Sequence, residues 1–221
     1  EMQRSLVGSE MCIRDRLNGS PHERGCTHRA LLEVGKSLEA EGIQTAFFWI
    51  GKAPIIGCQG CGGCAKAGKC VFSDGVNDFV AFAKEADGFV FGAPVHYAAA
   101  AGGITAFLDR AFYSASSAGA QVFRLKPAAA IVSARRAGTT AALDQLNKYF
   151  TISQMPIISS RYWNMVHGNT PAEVEQDLEG MQVMRFLGRN MAYFLKCIEA
   201  GRKAGVPLPR EEGRIATNFI R

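Results

Sequence analysis

From residue 17 onward the chain alternates short apolar runs with longer amphipathic segments. In THRALLEVGKSLEAEG, Leu31, Leu32, Val34 and Leu38 fall near one helical face and Gly42 supplies a C-cap, which predicts a helix; IQTAFFWIG then reads as a strand. DGVNDFVAFAKEAD predicts a helix with Asp74 as N-cap, and GFVFGAP is the continuous apolar run of a strand buried on both faces. ITAFLDRAFYSAS (helix), PAAAIVSA (strand), TTAALDQLNKYFTI (helix) and MPIISSRYW (strand) follow. TPAEVEQDLEGMQVMRFLGRNMAYFLKCIEAG is expected to be one long helix, with Thr170 as cap and Pro171 in its first turn. Strands alternating with helices imply βαβ units and a parallel sheet. The expected fold is α/β, a doubly wound five-stranded parallel sheet in the order 2-1-3-4-5 with helices on both faces.

The first strand breaks this pattern. It should precede LNGSP, yet EMCIRDR places Glu10, Arg14, Asp15 and Arg16 where a central strand needs apolar residues, and buried charge is costly. RSLVGSEMCIRDR also resembles a translated sequencing adaptor. Residues 1–16 are therefore read as a non-native segment, the alternative being a genuine but unusual start. The core domain is expected over residues 17–200, with a cysteine loop at 57–71 and a C-terminal extension at 201–221.

Composition narrows the class. A chain of 221 residues with 48% hydrophobic content can fill one α/β core. The formal charge of +5 is modest and its basic residues are scattered, which argues against nucleic-acid binding. Apolar runs fall well short of the roughly 20 residues of a membrane span, so no membrane partner and a cytoplasmic location are expected. Seven cysteines in a chain of this size, four of them between Cys58 and Cys70, point to metal or redox chemistry rather than a disulfide scaffold.

LNGSPHERGCTHRALL joins the first strand to a helix and supplies Gly19, Ser20, Gly25 and Thr27 just before the first helical turn. Hydroxyls and free amides at a helix N-terminus suit a phosphate monoester, although Gly-Ser-Pro is also an ordinary turn. The segment lacks both the Gly-Lys-Ser/Thr ending of nucleotide triphosphatases and the G-x-G-x-x-G fingerprint, which favours a single phosphate over ATP or NAD. After the third strand, GAPVHYAAAAGGITAFLDR leaves through Pro94 and enters a helix. After the fourth, Ser133, Arg135, Arg136, Gly138 and Thr139 precede another helix N-terminus. A plain loop and a solvated basic turn are the alternatives for these two segments.

Taken in order, these loops resemble those of the NADPH-dependent FMN reductase and iron-sulfur flavoprotein branch of the flavodoxin superfamily, over roughly residues 17–221. The first is similar to that branch's G-S-P-R-x-x-G-N-T, with His22 in place of Arg and Cys26 in place of Asn. The second is similar to S-P-V-Y followed by D-R, with His96 at the usual Tyr and Thr105 at the usual Lys. The third is similar to G-x-R-x-G. The resemblance implies FMN as cofactor, its phosphate held by Ser20, His22, Cys26 and Thr27. The ring would lie beside Pro94, Val95, His96 and Tyr97, with Ser133, Arg135, Arg136 and Gly138 against its pyrimidine edge. It also implies NAD(P)H as donor, a small molecule or redox protein as acceptor, and a homodimer or homotetramer.

CQGCGGCAKAGKC places Cys58, Cys61, Cys64 and Cys70 at spacings x2, x2 and x5. Four thiolates on a glycine-rich loop suit one tetrahedral zinc or one cubane, and two successive C-x2-C steps favour iron-sulfur. Zinc and free or redox-active thiols remain open on the residues alone. The spacing matches the compact motif of iron-sulfur flavoproteins, which implies a four-iron, four-sulfur cluster. The expected function is an FMN-dependent oxidoreductase in which the protein binds and tunes the flavin, with no side chain required as catalytic acid or base. A non-enzymatic electron carrier or redox sensor is the alternative, and a zinc-stapled binding module a weaker one.

Overall fold

Phe89, Phe91 and Ala93 point to one face of a central strand and Val90 to the other, each fully buried, as a period of two requires in a sheet covered on both sides. The computed structural model describes residues 12–213, 215 and 217. In chain order its elements are β1 (Cys12–Asn18), α1 (Cys26–Ala40), β2 (Gln44–Trp49), α2 (Gly63–Ala67), α3 (Gly75–Lys84), β3 (Phe89–His96), β4 (Ala99–Ala100), α4 (Gly102–Ser117), β5 (Ala128–Ala134), α5 (Thr139–Ile152), β6 (Met165–His167), α6 (Pro171–Gln176) and α7 (Leu178–Lys203). The parallel strands run β2-β1-β3-β5-β6, and β4 pairs antiparallel with the end of β3. Setting that two-residue hairpin strand aside, this is the expected doubly wound order.

Helices α1 and α7 cover one face, where Leu31, Val34 and Leu38 meet Met184, Leu187 and Met191 over Val90, Ala129 and Ile131. The other face is built on phenylalanine: Phe79 of α3, Phe107 and Phe112 of α4 and Phe150 of α5 close on Phe89 and Phe91, with ring centroids of Phe112 and Phe123 stacked 4.2 Å apart. Each such side chain contributes about 1.5–3 kcal/mol on burial. Among the described residues no helix is long and apolar enough to cross a membrane.

Three sequence expectations need correction. The last parallel strand is not MPIISSRYW but Met165–His167. Near the former only an isolated bridge joins Ile157 to Ala128, and Tyr162 and Trp163 are exposed. The chain leaves the sheet after Ile158 and returns at Asn164, whose side-chain amide donates to the Ala130 carbonyl at 3.0 Å. The C-terminal helix is divided. Asp177, with ψ 77°, accepts from Gly180 N at 2.9 Å and from His167 N at 2.7 Å, so it starts α7 and ties it to β6 instead of continuing α6. The short helix α2 within the cysteine loop was not anticipated.

Of the segment 1–16, residues 1–11 lie outside the described residues, and Cys12–Arg16 form the first part of β1. Register with β2 shifts between Arg14 and Arg16. Arg16 is 7% exposed, and its guanidinium donates to the Leu31 carbonyl at 3.3 Å and to Thr45 Oγ1 at 2.7 Å, with Glu39 at 3.8 Å. The charge is thus partnered where it is buried.

The two helices on the α1 face approach closely at Gly188, where a Cβ would lie 2.6 Å from Ser37 Cβ and 2.7 Å from the Val34 carbonyl. Gly188→Ala is expected to destabilise the fold by about 1–3 kcal/mol through forced separation of α1 and α7. The effect should appear as a lower urea midpoint with an unchanged m-value.

Candidate functional site

The carboxyl ends of five parallel strands converge on one open cavity of about 750 Å³, within the roughly 300–1,000 Å³ range of small-molecule sites. Ser20 and His22 enter it from the loop after β1, Trp49 from β2, Pro94, Val95 and His96 from β3, Ser133 and Arg135 from β5, and Gly168 from β6. Open α/β sheets place ligands at this edge.

The loop between β1 and α1 is fixed from both sides. Ser20 N donates to Asn18 Oδ1 at 3.0 Å, His22 N to Ser20 Oγ at 3.1 Å, and the Asn18 amide to the Glu23 carbonyl at 3.0 Å. Trp49 Nε1 donates to the Ser20 carbonyl at 2.8 Å, so the end of β2 braces the loop. No side chain caps α1. Its first-turn amides therefore face the cavity side of the loop without an intrahelical carbonyl, the arrangement that attracts an anion. Thr27 Oγ1 and Ser133 Oγ lie 2.8 Å apart, both buried, and bridge this helix start to β5. Cys26 sits in the first turn with Sγ 3.6 Å from the Gly168 carbonyl, and burial pushes its thiol up, so it is a neutral group there.

Of the twelve residues expected to contact the flavin, nine line this cavity: Ser20, His22, Cys26, Thr27, Pro94, Val95, His96, Ser133 and Arg135. Tyr97, Arg136 and Gly138 do not. Tyr97 is fully exposed at the turn of the β3–β4 hairpin with φ 49°, Arg136 is exposed beside Arg135, and Gly138 caps α5 against Ala98. Trp49, Lys52, Asn169 and Thr170 also belong to the lining; none was expected there from the sequence, which marks Thr170 only as a helix cap. Their position just past the ends of β2 and β6 is the signal that could have found them.

The cysteine loop leaves β2 on the same edge and then packs against the α3–α4 side. Cys58, Cys61, Cys64 and Cys70 all line one small cleft, together with Arg110, Tyr113 and Ser114 of α4. Cys64 and Cys70 are buried; Cys58 and Cys61 are exposed. Gly62 and Gly68, with φ 67° and 70°, flank α2 in left-handed conformations that let the loop reverse tightly. Among the described residues no group of three or more His, Cys, Asp or Glu side chains converges in a metal-binding arrangement. The cleft and the strand-end cavity share no lining residue.

Arg110, which completes the D-R match of the second loop but receives no role from the sequence, organises this region. Its Nη1 lies 2.5 Å from Asp74 Oδ2 and its Nη2 3.0 Å from Asp74 Oδ1. Burial alone would raise the Asp74 carboxyl, but hydrogen bonds from Arg110 and from Val76 N, with the Arg110 charge, hold it below the usual carboxylate value. Because the unfolded chain takes up this proton first, the stability Asp74 adds is full above its ordinary pKa near 3.8 and is lost as pH falls through its lower native value. Asp74→Asn is expected to cost about 3 kcal/mol near neutral pH, chiefly by stranding the buried Arg110 charge. Urea unfolding of both proteins over an acid pH series should show the gap narrowing in that window.

Comparison with known proteins agrees with this geometry. The chain is 27% identical over 194 residues to an iron-sulfur flavoprotein of Methanocaldococcus jannaschii, and 28% identical over 194 residues to an iron-sulfur flavoprotein of Archaeoglobus fulgidus; each alignment spans 83% of this chain and 97% of the relative. In fold it is similar to the crystal structure of a WrbA-like flavodoxin from Agrobacterium tumefaciens, with a TM-score of 0.59 at 15% identity over 86% of this chain and 99% of that one. Residues 16–170 match the family described as NADPH-dependent FMN reductase, and the chain belongs to that family.

Proposed function

We propose that this NAD(P)H-dependent flavin oxidoreductase holds FMN in the strand-end cavity, with a four-iron, four-sulfur cluster on Cys58, Cys61, Cys64 and Cys70 as a second redox centre. The observation that carries the flavin site is the convergence of an uncapped helix N-terminus with the carboxyl ends of five strands on one cavity. The amides of the first turn of α1 and the Ser20 loop would take the phosphate, and the cationic side chains of Lys52 and Arg135 add to the favourable field. Pro94, Val95 and His96 would lie beside the ring, and Arg135 near its pyrimidine edge would stabilise the anionic reduced form. FMN supplies a centre that accepts hydride from NAD(P)H as an electron pair and can pass the electrons on singly.

The donor set of the cysteine loop suits a cluster in kind: all four cysteines line one cleft, two buried and two exposed, and the glycines between them would let the loop close to bring the four sulfurs together. Two relatives named as iron-sulfur flavoproteins support the same reading. A cluster of this kind handles one electron at a time, so the pair would convert hydride transfer into single-electron delivery to a small acceptor or redox protein. The fully exposed Tyr97 beside an open cavity supports a homo-oligomer in which a second copy covers the flavin.

Anaerobically purified protein is expected to carry flavin and iron with matching acid-labile sulfide, and to oxidise NADPH steadily with a quinone or free flavin as acceptor. Protein that binds no added FMN would overturn the flavin site. Flavin bands without iron would overturn the cluster, and bound flavin with no NAD(P)H oxidation would favour an electron carrier. Arg135→Ala is expected to weaken FMN binding about tenfold in a fluorescence titration, equivalent to about 1.4 kcal/mol. Arg135→Lys should recover most of that loss.

A further inference from the structure

Arg110 is the largest fully buried side chain among the described residues, 1% exposed on the apolar stripe that Phe107, Leu108 and Ala111 form on α4. A guanidinium carries five N–H donors. All five are placed. Nε and Nη2 each lie 3.3 Å from Cys70 Sγ, Nη2 also 3.0 Å from Asp74 Oδ1, and Nη1 2.5 Å from Asp74 Oδ2 and 3.3 Å from the Ile56 carbonyl. The Phe72 ring covers its face, 4.9 Å from Cζ. Pairing with Asp74 would by itself meet the charge. Instead two donors converge on a single sulfur.

A neutral thiol is a weak acceptor, whereas a metal-bound thiolate carries charge and receives N–H donors well. Hydrogen bonds to cluster sulfurs are one of the levers by which a protein sets a reduction potential. We propose that Arg110 is a positioning residue that, through its two N–H donors to Cys70, raises the reduction potential of the cluster held by the cysteine loop. This inference rests on the cluster proposed above. Reduction adds one electron to the cluster, with no bond made or broken, and increases the negative charge on its thiolate ligands. The guanidinium therefore stabilises the reduced form more than the oxidised one. Asp74 keeps the fork aimed and fixes its plane, the Ile56 carbonyl takes the remaining Nη1 donor, and the Phe72 ring covers the guanidinium face.

The test is a potentiometric titration with dithionite, followed by electron paramagnetic resonance, on anaerobically purified protein and on Arg110→Met and Arg110→Lys. With iron retained, Arg110→Met is expected to lower the equilibrium constant for cluster reduction about tenfold, a midpoint about 59 mV more negative for a one-electron couple. Arg110→Lys, which keeps the charge and loses the fork, should recover part of the shift. Iron-replete variants with an unchanged midpoint would overturn the proposal while leaving the cluster intact; absence of iron from the parent protein would instead overturn the cluster reading and this one with it. Should the variants lose iron, electron-nuclear double resonance on the reduced parent protein, labelled with ¹⁵N at the arginine guanidino nitrogens, decides the matter. Coupling to an arginine nitrogen supports the proposal, and no coupling overturns it.

Discussion

Helix α1 rests on β3 with almost nothing between them: a Cβ on Gly92 would lie 2.8 Å from both Leu31 Cδ1 and Thr27 Cγ2. That close approach sets the height of the helix over the sheet, and so where its first turn begins. Thr27 belongs to that turn, and its hydroxyl meets Ser133 at the end of β5. The packing contact and the uncapped start of the helix are one turn apart, so the core fixes the place of the helix dipole at the edge of the sheet. The loop that precedes the helix is then tied to neighbouring strands through Asn18 and Trp49. Little rearrangement is left for ligand binding to drive, which is the economy of a preorganised site.

The two candidate redox regions are held by different elements. The strand-end cavity depends on α1 and the strand termini, whereas the cysteine cleft is set against α3 and α4. Helix α4 begins at Gly102, directly after the β3–β4 hairpin, and Arg110 lies eight residues further on. At a rise of about 1.5 Å per residue that is about 12 Å along the helix. The cysteine loop therefore starts on the edge that its sequence position implies, and its thiols come to lie about two turns down the outside of the domain.

What was legible in the sequence was local. The glycine- and serine-bearing turn into α1, the apolar runs of β3 and β5 and the Asp74 cap each declare themselves within a dozen residues. What was not legible depends on distant partners. MPIISSRYW has the composition of a strand, but the Ala130 carbonyl accepts from the Asn164 side-chain amide, and the pairing segment begins only at Met165. Asp177 reads as one more polar residue on a helical face until His167 N is brought to its second oxygen. Tyr97 has the character of a flavin-stacking aromatic, yet the two-residue strand β4 turns it into solvent. Arg110 sits in an apolar helical stripe where Asp74 and Cys70, 36 and 40 residues earlier, supply its partners. Arg16 shows the same dependence, since its buried charge is met by Leu31 and Thr45 from neighbouring elements.

The first turn of α3 couples the cysteine loop to the core. Asp74 accepts from Val76 N to start the helix and holds Arg110 with the same carboxylate. One turn on, Asn77 Oδ1 accepts from Cys70 N at 3.0 Å, and its amide donates to the carbonyls of Cys70 at 2.9 Å and Phe72 at 3.2 Å. Cys70 is thus fixed through its backbone by α3 and through its sulfur by α4. Cys58 and Cys61 are exposed and have no comparable clamp among the described hydrogen bonds. The loop has an anchored half and an open half. A metal centre built on such a loop would be nucleated at the anchored thiols and completed by closure of the open pair, so that part of its binding free energy would go into ordering the loop. That asymmetry also places the Arg110 charge on Cys70, the thiol that α3 and α4 together hold in place.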